Sequence, residues 1–68
     1  MNIKTTYKIL DFLKSKEIDD AEDVTEVLVD PVSNTLDIWY VNTDGMSDVF
    51  ELGSGSAISE FLEFLTSE

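Results

Sequence analysis

The fold is decided by residues 35–52, which read TLDIWYVNTDGMSDVFEL and contain two β-branched and aromatic runs. The runs Thr35–Asn42 and Ser47–Leu52 are typical of strands, because apolar and polar residues alternate along them with a period of two. Asp44 and Gly45 lie between the runs, and an Asp-Gly dipeptide favours a hairpin turn. These residues therefore predict an antiparallel β-hairpin.

Upstream of this hairpin the sequence predicts one more strand and a helix. Val24–Asp30 is rich in β-branched residues and predicts a strand, which the turn residues Pro31–Asn34 join to the hairpin. Residues 3–18 have the apolar periodicity of a helix, with Ile9, Leu10, Phe12 and Leu13 on one broad stripe. We interpret residues 17–23, EIDDAED, as an acidic connector between the helix and the strand.

Downstream of the hairpin a second helix is predicted. Gly53–Ser56 interrupts the strand pattern, and Ser54 or Ser56 can cap a helix at its N-terminus. An apolar stripe at helical spacing follows, formed by Ile58, Phe61, Leu62 and Leu65. A Gly-Ser segment before a helix can also bind phosphate, but no lysine of the phosphate-binding type follows, so a helix cap is the stronger interpretation.

The resulting expectation is a single α+β domain over residues 1–68, with the order α-β-β-β-α. We expect a three-stranded antiparallel meander with the two helices packed on one face. The residues expected to face the helices are Val27, Val29, Leu36, Ile38, Tyr40, Phe50 and Leu52. The opposite face would carry Glu26, Leu28, Asp30, Asp37, Trp39, Val41, Val49 and Glu51. If the strand phase is reversed, Trp39 belongs to the core and Tyr40 faces outward.

The charge distribution is strongly asymmetric. The formal net charge is −11 and the pI is about 4.1. All four lysines lie in the first sixteen residues, and residues 17–68 contain fourteen carboxylates and no basic residue. Such a chain has no basic patch for nucleic acid or anionic lipid, so we expect no direct nucleic-acid binding and no membrane binding. The expected partner is a basic protein.

The absent residue types exclude many kinds of chemistry. The chain has no Cys and no His, which removes thiol nucleophiles, imidazole bases and the ordinary zinc sites. Asn42, Asp44, Gly45 and Glu51 match part of a calcium-binding EF-hand loop, but Tyr40 stands where the first ligand is needed, and the flanks predict strands. We therefore expect no enzyme activity, no cofactor and no metal. The charged first sixteen residues are unlike a signal peptide, so we expect a cytoplasmic protein.

The acidic connector and the acidic sheet face form the candidate partner-binding surface. Side chains two residues apart on a strand project from one face about 6 to 7 Å apart, which is similar to the spacing of phosphates along an extended nucleic-acid strand. Rows of carboxylates can therefore attract a protein groove that binds DNA phosphates. The candidate residues are Asp19, Asp20, Glu22, Asp23, Glu26, Asp30, Asp37 and Glu51, with Trp39 as an apolar anchor.

In size, charge and predicted layout the chain resembles the small acidic DNA-mimic proteins that phages make against host DNA-binding proteins. The element order is also similar to that of some anti-CRISPR proteins. The resemblance concerns the size, charge and element order of the whole chain and involves no sequence motif. No functional residue is therefore transferred by position. It implies a host-takeover inhibitor that acts in the bacterial cytoplasm, with the nucleoid protein HU as the leading target.

Two other functions are compatible with the same sequence. An immunity protein or antitoxin that neutralises a basic nuclease toxin is also small and acidic, and so is an acidic interaction subunit without inhibitory activity. The strong charge is compatible with a monomer or a homodimer. The N-terminal lysines either pair with the acidic connector or contact another molecule.

Overall fold

A computed structural model of the chain describes residues 2–67 and has the predicted order of elements. These are α1 (Ile3–Ser15), β1 (Ala21–Asp30), β2 (Thr35–Asn42), β3 (Ser47–Leu52) and α2 (Gly55–Thr66). The strands form one antiparallel sheet in the order β1-β2-β3, so β2 is central and the other two strands lie at the edges. The α+β prediction, with two helices on one face of a three-stranded meander, is confirmed.

Each helix begins at a side-chain cap. Asn2 accepts a hydrogen bond from the Thr5 N–H at 2.8 Å, and Ser54 accepts one from the Ala57 N–H at 3.2 Å. Both caps satisfy backbone donors that have no partner inside the helix. Ser54 is thus the cap of α2, one of the two serines that the sequence indicates.

Helix α1 ends at Ser15, three residues earlier than predicted. Glu17 has a φ of 68°, and the Ile18 N–H donates to the Leu13 carbonyl at 3.0 Å. This hydrogen bond closes a loop of six residues, and the left-handed residue lies inside the loop. Both are features of the Schellman motif that ends many helices. The apolar periodicity extends through Ile18 because this side chain returns to pack against the core, although it lies outside the helix.

Strand β1 begins at Ala21, three residues earlier than predicted. Ala21 pairs with Asn42 and Asp23 pairs with Val41, so the second half of the acidic connector belongs to the sheet. Register shifts between Ala21 and Asp23, and again between Val24 and Glu26, place Glu22 and Thr25 as extra residues on this edge strand. Pairing with the full length of β2 overrides the low strand propensity of these acids.

The core lies between the helices and one face of the sheet. Its buried members are Ile9, Phe12, Leu13, Val24, Leu36, Ile38, Tyr40, Leu52 and Phe61. Phe12 is central, with ring centroids 4.9 Å from Phe61 and 5.5 Å from Phe64 in edge-to-face geometry. These contacts hold the two helices to each other.

Two side chains expected in the core are exposed. Val29 is 64% exposed, although its partner Leu36 is buried, because it lies next to the end of an edge strand and outside the packed cluster. Leu62 is 52% exposed on α2, where Phe61, Phe64 and Leu65 supply the contacts to the core. Neither helix of residues 2–67 has the length and apolar character needed to cross a lipid bilayer.

Candidate partner-binding face

The candidate site is the face of the sheet opposite the helices, which we call the open face. Strand pairing and side-chain alternation place eleven residues on it. They are Asp23, Glu26, Leu28 and Asp30 from β1, Thr35, Asp37, Trp39 and Val41 from β2, and Ser47, Val49 and Glu51 from β3.

Trp39 lies at the centre of the open face. It pairs with Glu26 on one side and Val49 on the other, and it is half-buried. The neighbouring residue Tyr40 points to the opposite face, where it is only 5% exposed. The expected strand phase is therefore confirmed, and the reversed phase with Trp39 in the core is wrong.

The open face has an apolar centre and an acidic border. Leu28 is 46% exposed and Val49 is 38% exposed, and both flank the central strand that carries Trp39. The border consists of the carboxylates of Asp23, Glu26, Asp30, Asp37 and Glu51. Aromatic side chains with a polar border are typical of protein interfaces, in which the apolar centre excludes water and the border sets specificity.

Asp37 and Glu51 are directly opposite each other on neighbouring strands. Side chains in this relation have Cβ atoms about 4.5 to 5.5 Å apart, and like charges so placed repel. The Oδ1 atom of Asp37 is buried and accepts no hydrogen bond from any residue in the range 2–67. A buried oxygen without a hydrogen-bond partner is unfavourable for the folded chain.

The carboxylate of Asp30 is already engaged in its own turn. It accepts hydrogen bonds from the backbone N–H groups of Val32 at 3.0 Å and Ser33 at 3.3 Å. The pKa of Asp30 is lowered below its ordinary value, first by the Ser33 side chain and then by the backbone donors of Ser33 and Val32. Asp30 therefore contributes its charge to the open face while also closing the β1–β2 turn.

The structure separates the predicted site residues into three groups. Asp23, Glu26, Asp30, Asp37, Trp39 and Glu51 are together on the open face. Glu22 is an extra residue of the β1 edge, and Asp19 and Asp20 lie in the exposed loop between α1 and β1. That loop is held to the β2–β3 turn, because the Thr43 N–H donates to the Asp20 carbonyl at 2.9 Å.

The lysines do not neutralise these acids. Lys16 pairs with Glu60 at 2.6 Å, which is the single ion pair within residues 2–67, and Lys8 donates to the carbonyls of Leu65 at 3.0 Å and Ser67 at 2.7 Å. Both lysines thus join α1 to α2, and neither pairs with the connector. Residues 1–16 and 54–68 together contain four lysines and four carboxylates, so the whole charge of −11 comes from residues 17–53.

The β2–β3 turn is explained by hairpin geometry. Asn42 Oδ1 accepts from the N–H groups of Asp44 and Met46, and Gly45 has a φ of 79°. This is a three-residue loop that needs a left-handed residue at Gly45. Among the described residues, no group of three or more acidic side chains is arranged to hold a metal ion, and no pocket opens on the surface. The partial match to a calcium loop thus lies on a hairpin.

Comparisons with known protein families, characterised proteins and solved structures find no match to this chain.

Proposed function

We propose that this protein is a DNA mimic that binds the basic DNA-binding surface of another protein and excludes DNA from it. The observation that supports the proposal is the placement of charge. The whole charge of −11 comes from residues 17–53, which contain the sheet, the loops that join its strands and the connection from α1, and which have no basic residue. A surface that binds DNA phosphates is attracted to such a face by the same electrostatic term.

The leading target under this proposal is the bacterial nucleoid protein HU, and the site of action is the bacterial cytoplasm. The open face supplies five carboxylates, three on β1 and one each on β2 and β3, together with Trp39 as an apolar anchor. Because exposed charges are screened over about 10 Å at 0.1 M salt, association should be fast and its affinity should fall steeply as salt is added.

The direct test is displacement of a labelled DNA duplex from purified HU by the full chain. We expect complete displacement at low salt, because both ligands compete for one surface. The double variant Glu26→Lys with Glu51→Lys should weaken displacement by at least about tenfold, since two contacts become repulsive. The matched control, Asp11→Lys with Glu63→Lys, changes the net charge equally on the exposed faces of the helices and should displace nearly as well as the parent chain.

Equal losses in the two double variants would contradict the assignment of the open face as the binding surface. Binding to HU without displacement of DNA would contradict mimicry. If HU is not bound at all, capture from nuclease-treated bacterial lysate, with and without competing duplex, identifies the partner. A partner that duplex cannot displace would overturn the proposal in favour of an immunity protein or antitoxin.

A further inference from the structure

Beside the apolar centre of the open face, three groups suit one particular side chain. Asp37 and Glu51 are directly opposite on β2 and β3, and Trp39 follows Asp37 on the same face of β2. Residues two apart on a strand are separated by about 6 to 7 Å, so the indole and both carboxylates are within reach of one side chain from outside. Leu28, which pairs with Asp37 on the other side, borders the same position with apolar surface.

Two features of this position are unfavourable for the folded chain. The carboxylates of Asp37 and Glu51 repel each other across the strands, and no lysine of residues 2–67 lies within ion-pair distance of either. In addition, Asp37 Oδ1 is buried without a donor. A cationic group with several N–H donors would relieve the repulsion between the two carboxylates.

From this arrangement we infer that the position between Asp37, Glu51 and Trp39 is an arginine subsite, occupied by one arginine side chain of a basic protein partner. A guanidinium group is planar and has five N–H donors, so it can bridge two carboxylates and stack on the indole of Trp39. A lysine ammonium is a compact and strongly hydrated charge that gains less from a flat aromatic surface. The apolar surface of Val49 and Leu28 on either side favours the weakly hydrated group.

This inference rests on the proposed function for the nature of the partner, because the charge of residues 17–53 selects a basic protein. It adds the side chain that is recognised and the position where it binds. A purely electrostatic mimic would not distinguish arginine from lysine, since both carry one positive charge.

The test compares blocked tetra-arginine and tetra-lysine peptides as probes of the full chain at matched ionic strength. Trp39 is the single tryptophan, so its fluorescence reports on this position, and amide shifts in two-dimensional NMR spectra locate the contact. We expect the arginine peptide to bind at least about fivefold more tightly, because only guanidinium adds stacking and bridging. The largest shifts should fall on residues 37–39 and 49–51.

Two variants make the test specific. Asp37→Asn and, independently, Glu51→Gln should each abolish the preference for arginine, while the control Asp11→Asn removes the same charge from the exposed face of α1 and should keep it. Equal affinity for the two peptides would overturn the inference, and so would shifts centred outside the open face. A preference that survives in both Asp37→Asn and Glu51→Gln would do the same.

Failure of this inference is distinguishable from failure of the proposed function. If the chain displaces DNA from HU but shows no preference for arginine, then the subsite is wrong and the mimicry remains. If the preference is present but no DNA-binding protein loses its DNA, then the mimicry is wrong, and the arginine subsite serves another basic partner.

Discussion

At the scale of the residue, Glu17 adopts a conformation that suits glycine. Its φ of 68° lies in the left-handed region, where a side chain costs about 1 kcal/mol or more. We expect Glu17→Gly to raise the free energy of unfolding by about 0.5 to 1 kcal/mol, measured by urea denaturation. Glu17→Ala removes the same charge but keeps the Cβ atom, so it should give little or no gain. Equal stabilisation by both variants would assign the effect to charge.

Tyr40 makes stability depend on pH at the alkaline end. Burial raises the pKa of its phenol above the ordinary value of 10.0, and the nearby charges of Asp48 and Asp20 raise it further. The folded chain therefore keeps this proton at a pH where the unfolded chain releases it. The stabilisation is fully present below pH 10 and is lost as the pH rises through the folded pKa.

We therefore expect the free energy of unfolding to fall above about pH 10, and to fall less steeply in Tyr40→Phe, because that variant has no phenol to ionise. The measurement is urea denaturation over a series of alkaline pH values, with tyrosinate absorbance recorded in parallel. Tyr7→Phe is the control, since Tyr7 is 61% exposed on α1. A pH dependence that disappears in Tyr7→Phe and persists in Tyr40→Phe would contradict this assignment.

At the scale of the element, the pairing of β2 with β3 places two carboxylates that repel each other, Asp37 and Glu51, directly opposite on the two strands. Replacing one acid by a base turns a repulsive cross-strand pair into an attractive one. We expect Glu51→Lys to stabilise the fold by about 0.5 to 1 kcal/mol in urea denaturation. Asp19→Lys changes the net charge equally in an exposed loop, and it should stabilise less.

The same Glu51→Lys change should weaken displacement of DNA from HU when combined with Glu26→Lys, as proposed above. A gain in stability with a loss of binding is typical of residues kept for function at the expense of the fold. If Glu51→Lys is no more stable than Asp19→Lys, then the two carboxylates on β2 and β3 do not interact appreciably.

At the scale of the whole molecule, the fold must tolerate the self-repulsion of residues 17–53. Most of these carboxylates are exposed, so dissolved ions can screen them. We expect the melting temperature to rise by about 5 °C between about 20 mM and about 500 mM sodium chloride, because a domain of this size shifts by about 4 to 8 °C per kcal/mol. The measurement is thermal unfolding followed by circular dichroism.

A neutralised variant provides the control for this salt effect. Asp19→Asn, Asp20→Asn, Glu22→Gln and Asp44→Asn together remove four exposed charges from outside the open face. This variant should melt at a higher temperature at low salt and respond less to added salt. An equal salt response in the two proteins would contradict electrostatic repulsion as the cause.

The sequence by itself determined the order of the elements and the phase of the strands. Alternation with a period of two is a local property, so Trp39 and Tyr40 are assigned to opposite faces without knowledge of what packs on them. The cap at Ser54 and the turn at Gly45 are likewise local, because they depend on hydrogen bonds and φ angles within a few residues. The positions of the charged residues along the chain also place the excess negative charge after residue 16.

Only the tertiary structure decided which distant residues meet. The register between β2 and β3 brings Asp37 opposite Glu51, and the bulged pairing of β1 brings Asp23 onto the open face, although its sequence context indicated a connector. Lys16 pairs with Glu60, 44 positions away, through the packing of α1 on α2. These contacts depend on the free energies of strand pairing and helix packing between distant segments. The local propensities of the residues give no information about those free energies.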